Sequence, residues 1–335
     1  MKVYEKKLQV EIKFKEQILT LKQSQAETKD REKILVAVNI GNPSDIQQLD
    51  GEKINGVGLF RTEFLYSSLS ERPTVQEQIN AYKKVIDAVY PEPVTVRTID
   101  VGGDKQISYL NMKFEENPFL GNRGIRLSLK NPEVFSEQLE ALLIAGEGKK
   151  IKIMLPMVTV VDEIVKAKAI LSSVRKNLED RGIKYCTDVS LGIMVETPAC
   201  AVMADVFSKY CDFFSIGTND LVQYVTASDR GNSDVKEIYS PYNPAVLRLI
   251  NNVIKEGVRN KMEVSICGDL AANTNFTEIL LGMGLKKFSV PIPSAGRIKH
   301  KISTLNLSDA QKIADRVLKA ENEMEVKNIL EKENS

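Results

Sequence analysis

Residues Leu191–Tyr224 constrain the fold most strongly, because they have the pattern of a strand, a helix and a second strand. Two short apolar runs, Leu191–Val195 and Asp212–Ile216, flank a segment at Ala199–Lys209 whose apolar residues recur at helical spacing. Two strands joined by a helical crossover run parallel, and parallel strands are buried on both faces. The stretch therefore predicts an α/β protein with a parallel sheet.

Short apolar runs alternate with longer helical segments from Ile34 onward. The predicted strands are Leu35–Asn39, Gly56–Phe60, Val94–Ile99, Gly124–Leu127, Ile151–Leu155, Leu191–Val195, Phe213–Ile216 and Val264–Cys267. The predicted helices between them include Thr74–Val89, Pro132–Ala145, Val161–Asp180 and Pro244–Asn260. Eight strands separated mostly by helices over roughly 270 residues are typical of a (β/α)₈ TIM barrel. A doubly wound open sheet is the alternative, and the strand count and even spacing favour the closed barrel.

Both ends of the chain are predicted to lie outside the barrel. Residues 1–33 are rich in lysine and glutamate, and the apolar residues from Leu8 to Leu21 recur roughly on one helical face. We predict an amphipathic linker helix there, followed by a barrel domain over residues 34–335. Residues Ser308–Lys332 are predicted to form two polar helices on the outside of the barrel.

The composition excludes several classes of protein. The net charge is +1, with 46 basic and 45 acidic residues, so the total charge gives no support for binding to nucleic acid or to an anionic membrane. The four cysteines show no C-x-x-C spacing, which favours free thiols in a reducing compartment. No stretch is long and apolar enough for a membrane span. We expect a soluble, cytoplasmic protein.

Acidic and amide side chains follow two neighbouring predicted strands. Glu196 comes directly after one strand, and Asn219 and Asp220 follow the next. The carboxyl ends of parallel strands converge on one crevice, so these groups are expected to face a common point. Two carboxylates beside an amide predict a divalent cation, Mg²⁺, held together with a phosphorylated substrate.

Arginines recur near the ends of several strands. They are Arg61, Arg97, Arg123, Arg126 and Arg230, with Glu63, Asp100 and Lys105 in the same segments. The planar guanidinium group binds phosphate and carboxylate through two hydrogen bonds at once. The cluster predicts a substrate that carries both groups. An ordinary ion pair at the barrel rim is the alternative for each arginine alone.

Cys267 lies at the end of the last predicted strand, in VSICGDLA. A buried cysteine commonly serves only as a small apolar residue. Among cations and a metal, its thiol could instead donate a proton, because the reference pKa of cysteine is about 8.5. His300 is the only histidine, and its lysine-rich surroundings in GRIKHKI predict an exposed residue without a catalytic role.

These motifs together resemble a known family. They are GVGLFRTEFLY, VTVRTIDVGGDK, ENPFLGNRGIRL, IMLPMV, GIMVETPA, DFFSIGTNDLVQY, DRGN, YSPYNPAVLRLI and ICGDLA, and they span about residues 36–305. The set is similar to the phosphoenolpyruvate-binding domain of the phosphoenolpyruvate-protein phosphotransferases, enzyme I of the bacterial sugar phosphotransferase system. Related dikinases and synthases share several of the motifs. RTEFLY followed closely by VRTIDVGGDK favours enzyme I.

The resemblance implies a (β/α)₈ barrel that binds phosphoenolpyruvate and Mg²⁺ at its mouth and forms a homodimer. The residues that match the family's substrate-binding positions are Arg61, Arg97, Arg123, Asn219, Asp220 and Arg230. By the same comparison, Glu196 and Asp220 would ligate Mg²⁺. Cys267 would protonate the enolate that remains after loss of the phosphoryl group, which gives pyruvate.

The chain departs from the family pattern at four positions. The family usually continues C-G-E-x-A-G-D, whereas this chain has Asp269, Ala272 and Asn273 at the changed positions. We expect these residues to alter the loop geometry beside Cys267. Asn122 replaces an aromatic residue that usually precedes Arg123, and we expect it to loosen the wall of the pocket.

The resemblance also implies a further domain. In enzyme I, a histidine on an amino-terminal domain accepts the phosphoryl group, and that part of the protein docks the phosphocarrier protein HPr. The sequence has no match to that domain, so we expect the chain to correspond to the carboxyl-terminal part. It should bind phosphoenolpyruvate but complete the transfer only when the histidine domain is supplied.

Two other functions fit the same residues. A Mg²⁺-dependent lyase or aldolase that acts through a pyruvate enolate would also use a carboxylate pair at strand ends. A dimeric phosphoenolpyruvate sensor would need the binding residues and no chemistry. Loss of turnover in a Cys267→Ala variant that still binds ligand would distinguish an enzyme from a sensor.

Overall fold

Eight parallel strands form a closed barrel in the computed structural model, which describes residues 21, 23–49, 51–67, 71–102, 107–110 and 112–333. A short strand β1 (Ala26–Glu27) precedes the barrel strands β2 (Lys33–Ile40), β3 (Val57–Phe60), β4 (Val94–Arg97), β5 (Ile151–Leu155), β6 (Val189–Val195), β7 (Phe213–Gly217), β8 (Glu263–Cys267) and β9 (Lys287–Pro291). The sheet closes because β2 pairs with both β3 and β9. The predicted (β/α)₈ barrel is confirmed, and the open sheet is excluded.

Helices cover the outside of the barrel. The α-helices are α1 (Glu63–Ser67), α2 (Val75–Val89), α3 (Ile125–Lys130), α4 (Pro132–Ala145), α5 (Val161–Asp180), α6 (Pro198–Val202), α7 (Ala204–Phe207), α8 (Thr218–Thr226), α9 (Pro244–Arg259), α10 (Asp269–Ala272), α11 (Thr274–Gly282), α12 (Ile292–Ser303), α13 (Leu307–Val317) and α14 (Glu323–Glu333). Short 3₁₀ turns occur at Pro43–Leu49, Ser108–Leu110, Pro118–Leu120 and Ser233–Val235. Within the described part of the chain, no helix is both long and apolar enough to cross a membrane.

Helix α9 illustrates how local sequence sets these elements. It begins with Pro244, whose missing N–H needs no partner in the first turn, and the side chain of Asn243 accepts a hydrogen bond from the Ala245 N–H. Its buried residues form one apolar stripe and are Val246, Leu247, Ile250, Val253, Ile254 and Gly257. The spacing of three and four residues places this stripe against the barrel. All residues of β3, β4 and β5 are likewise buried.

One of the eight predicted strands is wrong, and one barrel strand was missed. Residues Gly124–Leu127 do not form a strand, because helix α3 begins at Ile125 directly after Gly124. A short apolar run does not distinguish a strand from a buried helical turn. The missing strand is β9, Lys287–Pro291, which begins with a lysine and ends with a proline. Lys287 is buried there, so a charged residue conceals the apolar pattern.

Other predicted elements differ only locally. The predicted helix Ala199–Lys209 is two short helices, α6 and α7, which meet at Met203. The two predicted carboxyl-terminal helices are confirmed as α13 and α14. All four cysteines are buried and free.

Most of the predicted linker helix lies outside the described residues, because residues 1–20 are not described. Near its end, Ala26–Glu27 is a strand that pairs antiparallel with β2, with Ala26 opposite Ile34. The division into a linker over residues 1–33 and a barrel domain over residues 34–335 remains a proposal.

A buried ion-pair cluster joins the amino-terminal ends of three barrel strands. Lys152 Nζ lies 2.8 Å from Glu263 Oε2, and Lys287 Nζ lies 2.9 Å from Glu263 Oε1. Burial lowers the pKa of Lys152, and Lys287 lowers it further, whereas the Glu263 carboxylate opposes the shift. Glu263 therefore supplies the negative charge that makes two buried lysines tolerable at this end of the barrel.

Replacing Glu263 by glutamine should destabilise the protein. We expect a loss of roughly 2 to 3 kcal/mol, below the range for a fully buried pair, because Glu263 keeps 32% of its side chain exposed. The loss should shrink as the pH rises toward the pKa of lysine, because a neutral lysine needs no counter-charge. Denaturant unfolding between pH 6 and pH 9 measures both effects. The control is Glu140→Gln, which removes an ion pair whose cation, Arg181, is 47% exposed, and an equal loss in both variants would contradict this account.

Candidate functional site

A cavity of about 660 Å³ opens at the carboxyl ends of the barrel strands. The predicted site residues all line it: Arg61, Arg97, Arg123, Glu196, Asn219, Asp220, Arg230 and Cys267. They come from β4, from the ends of β6, β7 and β8, and from the loops that follow the strands. The prediction that these residues converge is therefore confirmed, while the role of each residue remains a prediction.

Five charged side chains form an alternating row across the cavity, which we call the charge ladder: Glu63, Arg97, Asp100, Arg123 and Asp220. Arg97 lies 2.9 Å from Glu63 through Nη2 and 2.9 Å from Asp100 through Nη1. Arg123 lies 3.2 Å from Asp100 through Nη2 and 3.0 Å from Asp220 through Nη1. All five residues are buried.

Burial and pairing act in opposite directions on the two arginines of the ladder. Burial alone would lower the pKa of Arg97, but Glu63 and Asp100 outweigh it and raise the pKa. Asp100 and Asp220 raise the pKa of Arg123 in the same way. Both guanidinium groups therefore stay charged. The Nε atom of each is buried and has no hydrogen-bond partner among the described residues, so each arginine retains an unused donor.

Arg123 is positioned by a loop that packs closely against the end of β4. Gly102 has a φ of +119°, and a β-carbon there would lie 2.4 Å from Arg123 Cβ. Glycine is required at this position because only glycine combines that backbone angle with so close an approach. Arg123 Nη1 also donates a hydrogen bond to the Tyr224 hydroxyl at 3.2 Å, and that hydroxyl donates to the Phe119 carbonyl.

Glu196 is buried directly at the end of β6. Its Oε1 accepts a hydrogen bond of 2.7 Å from the Met157 N–H. Burial raises the pKa of Glu196 to about 8, with Asp220 and Asp100 adding to the shift and Arg97 and Arg123 opposing it. Negative charge is therefore in excess around this carboxyl group, which is the setting in which a cation is bound favourably.

Glu196 and Asp220 could hold a metal ion by two oxygens. Among the described residues, no group of three or more histidine, cysteine or acidic side chains is arranged to hold a metal. A cation held at these two carboxylates would need further oxygen ligands, such as those of a bound substrate or of water. This is the usual arrangement for Mg²⁺, which keeps several water or phosphate ligands.

The ends of β7 and β8 are joined by hydrogen bonds. Asn219 Oδ1 accepts from the Asp269 N–H at 2.9 Å, and Asn219 Nδ2 donates to Asp269 Oδ2 at 3.2 Å. The Thr218 hydroxyl donates to the Cys267 carbonyl at 2.8 Å. Asp269, one of the departures from the family pattern, therefore orients the Asn219 amide.

The two other departures in this loop are accommodated by helical structure. Ala272 is the last residue of α10, so its β-carbon causes no backbone strain. Asn273 caps α11, and its side chain accepts a hydrogen bond of 3.1 Å from the Asn275 N–H.

Cys267 lies inside the barrel, where 2% of its surface is exposed. It packs in a small cluster with Leu59, Met154, Met194 and Phe213. Burial raises the pKa of its thiol to about 11, although a hydrogen bond from Ser215 opposes the shift. The thiol is therefore protonated at neutral pH. A buried, protonated thiol that lines the cavity is able to donate a proton to a bound molecule.

Arg61 and Arg230 differ from the two arginines of the ladder. Both are exposed at the rim of the cavity. Neither makes an ion pair with any residue that the structure describes. Their guanidinium groups are therefore available to an anionic ligand without breaking an existing ion pair.

Two other described residues that were singled out in the sequence do not line the cavity. Arg126 supports the loop before α3, since it donates to the carbonyls of Leu120 and Gly121. His300 is half-buried in α12, not exposed as predicted. Lys105 lies outside the described residues.

The aromatic wall beside Arg123 is present despite the departure at Asn122. The Phe119 ring lines the cavity, and its centroid lies 5.9 Å from the Arg123 guanidinium carbon. Asn122 itself does not line the cavity, and its backbone N–H donates to Glu115. The loosening of the wall that the sequence predicts at Asn122 stays a prediction.

Sequence reasoning gave no role to Asp100 and missed Tyr224. The spacing carried a signal for Tyr224, which follows Asp220 by four residues, one helical turn away in α8. It carried none for Asp100, because the segment after β4 is not helical. Residues after β9, Ile292 among them, also line the cavity, and they were missed because β9 itself was missed.

Comparisons with known proteins agree with the motifs. The family model described as PEP-utilising enzyme, PEP-binding domain, matches residues 15–307. The chain is 42% identical over 328 residues to a phosphoenolpyruvate-protein phosphotransferase of Staphylococcus carnosus, and the match covers 98% of this chain and 57% of that protein.

Two more relatives carry the same name. The protein of Mycoplasma capricolum is 42% identical over 331 residues, with 99% of this chain and 58% of that protein covered. The protein of Priestia megaterium is 43% identical over 326 residues, with 97% and 57% covered. The chain therefore spans somewhat more than half the length of these relatives.

The state of the Cys267 thiol can be measured directly. The ultraviolet absorbance of thiolate, compared between the unaltered protein and Cys267→Ala, should show no Cys267 thiolate at pH 7 to 9. The signal should appear only as the pH approaches about 11, because burial disfavours the charged form. A difference between the two proteins already present at pH 8 would contradict the buried, protonated thiol.

Proposed function

Because the chain belongs to the PEP-binding domain family of PEP-utilising enzymes, we propose that its barrel binds phosphoenolpyruvate together with Mg²⁺ in the cavity. There it supports transfer of the phosphoryl group to a histidine on a separate domain and releases pyruvate. This is the reaction of enzyme I of the bacterial sugar phosphotransferase system. The observation that carries the proposal is the meeting of four arginines, the carboxyl groups of Glu196 and Asp220 and a protonated thiol in one cavity.

The arginines would bind the two anionic groups of phosphoenolpyruvate. Arg61 and Arg230 are exposed and free of ion pairs with described residues, so they can receive the ligand first. Arg97 and Arg123 are held in place by the charge ladder and line the same cavity. Asn219, on the same rim, adds an amide group.

Glu196 and Asp220 would hold the Mg²⁺ ion. These residues fit a cation because of the charge around them. Glu63, Asp100 and Asp220 surround the two ladder arginines, and Glu196 lies nearby. A divalent cation would balance this excess of carboxylates. When bound, Mg²⁺ supplies positive charge that stabilises the enolate oxygen as it forms.

The transfer itself requires little covalent chemistry from the barrel. The bond between phosphorus and the enol oxygen breaks, the phosphoryl group passes to a histidine nitrogen, and the electron pair remains on the oxygen as an enolate. Arg97 and Arg123 neutralise charge on the departing group. Cys267 then gives its proton to the methylene carbon, which yields pyruvate.

The proposed partner proteins follow from the relatives of this chain. The curated relatives are phosphoenolpyruvate-protein phosphotransferases of which the chain covers 57% to 58%. A histidine domain and, through it, the carrier HPr would act together with this barrel. His300 is not the acceptor, because it lies in α12 and does not line the cavity. We further propose that the barrel forms a homodimer and acts in the cytoplasm, without nucleic acid or membrane insertion.

Calorimetric titration with phosphoenolpyruvate tests the binding site. Binding should saturate in the presence of Mg²⁺ and weaken at least about tenfold with a chelator, because the metal charge is lost. Arg230→Ala should weaken binding, whereas Arg259→Ala, which removes a 77% exposed arginine outside the cavity, should not. Equal affinity with and without metal would contradict the roles of Glu196 and Asp220. No binding under either condition would refute the proposed function.

A reconstituted reaction tests the role of Cys267. The chain is mixed with phosphoenolpyruvate, Mg²⁺ and the amino-terminal part of the Staphylococcus carnosus relative, and pyruvate is measured. Cys267→Ala should slow pyruvate formation at least about 100-fold, the size expected for loss of a proton donor, while phosphoenolpyruvate still binds. An unchanged rate in this variant would remove Cys267 from the mechanism.

A further inference from the structure

We propose that Asp100 is a positioning residue that holds the guanidinium groups of Arg97 and Arg123 side by side to receive the phosphate of the substrate. The inference rests on the proposed function, because it concerns the same cavity. Asp100 itself need not touch the substrate. It acts through the two arginines, which line the cavity.

The geometry singles out Asp100 among the carboxylates of the ladder. Its Oδ2 lies 2.9 Å from Arg97 Nη1 and 3.2 Å from Arg123 Nη2. Its Oδ1 also lies 3.2 Å from Arg123 Nη2. Among the ion pairs within the described residues, Glu63 contacts only Arg97 of the ladder arginines, and Asp220 contacts only Arg123. Asp100 alone joins the two.

The backbone around Asp100 is fixed by three successive hydrogen bonds. The Thr98 N–H donates to the Met154 carbonyl at 3.0 Å, and the Ile99 N–H donates to Gln138 Oε1 at 3.0 Å. The Asp100 N–H donates to Glu63 Oε1 at 3.3 Å. The side chain of Asp100 is only 3% exposed. The carboxylate is therefore held rigidly with respect to the barrel.

Two guanidinium groups held this close repel each other, and a buried site screens that repulsion weakly. The Asp100 carboxylate offsets the repulsion and keeps both guanidinium groups in fixed positions. A phosphate group is best bound by guanidinium forks that are already oriented, because no energy is then spent on moving them. Asp100 thus orders the arginines before the ligand arrives.

If Asp100 competes with phosphate instead of positioning the arginines, its removal should change the binding affinity in the opposite direction. If Asp100 only competed with phosphate for the arginines, then removing its charge would tighten phosphate binding. If it positions the arginines, removing the charge weakens binding. The sign of the change in affinity separates the two.

The test is calorimetric titration of Asp100→Asn with phosphoenolpyruvate and Mg²⁺, and separately with inorganic phosphate. We expect about tenfold weaker binding of both ligands, since charge-assisted hydrogen bonds at the site are misaligned. Asp100→Glu, which keeps the charge but displaces it by one methylene, should give an intermediate affinity. Asp87→Asn, which removes an exposed ion pair with Lys149, should leave both affinities unchanged.

A double-mutant cycle separates positioning from a general structural effect. In an Arg123→Ala background, Asp100→Asn should weaken binding less than in the unaltered protein, because the part of its effect that passes through Arg123 is lost. Additive losses would overturn the inference. Unchanged or tighter binding by Asp100→Asn would also overturn the inference. If the asparagine variant does not fold, tighter binding by Asp100→Glu would overturn it instead.

The two ligands distinguish failure of the inference from failure of the proposed function. If the unaltered protein binds phosphate but not phosphoenolpyruvate, and Asp100→Asn weakens phosphate binding, the function fails and the positioning role stands. If phosphoenolpyruvate binds equally to both proteins, the function stands and the positioning role fails.

Discussion

The charge ladder is the interaction on which the rest of the site depends. Buried charges cost several kcal/mol each unless they are paired with good geometry, and the ladder pairs each arginine with two carboxylates. The same arrangement leaves an excess of negative charge near Glu196, which burial and its acidic neighbours keep at a raised pKa of about 8. The site is thus stable without ligand and still favours an added cation.

Barrel closure is what allows the ladder to form. The ladder spans from the start of α1, through the residues after β4, to the start of α8, elements that are far apart in the sequence. Parallel strands in a closed sheet bring their carboxyl ends to one face, so loops from several strands reach the same cavity. The opposite face carries a different cluster, in which Glu263 pairs with two lysines. One end of the barrel therefore holds the proposed site, and the other holds an ion-pair cluster that supports stability.

Much of this could be predicted from the sequence, because strand-end residues carry a local signal. Glu196 and Asp220 follow apolar runs directly, and their convergence needs only the parallel arrangement. The rest depends on contacts between distant segments. The sequence around Asp100 gives no sign of its role. Its contact with Arg123 depends on a loop that has neither a helical nor a strand pattern. Strand β9 could not be recognised because it begins with Lys287, and a charged residue is not expected in a buried strand. Its ion-pair partner Glu263 lies on another strand, so the local sequence gives no sign that the charge is neutralised.

Exchange of the methyl protons of pyruvate with deuterium oxide, followed by nuclear magnetic resonance, tests the central claim that this cavity handles a pyruvate enolate with its own thiol. The chain with Mg²⁺, and no other domain, should catalyse the exchange. The rate should rise with pH, because the thiolate form of Cys267, with a pKa of about 11, must accept the proton. Cys267→Ala should abolish the exchange. Equal exchange in that variant, or none from the unaltered protein while pyruvate binds, would contradict the account.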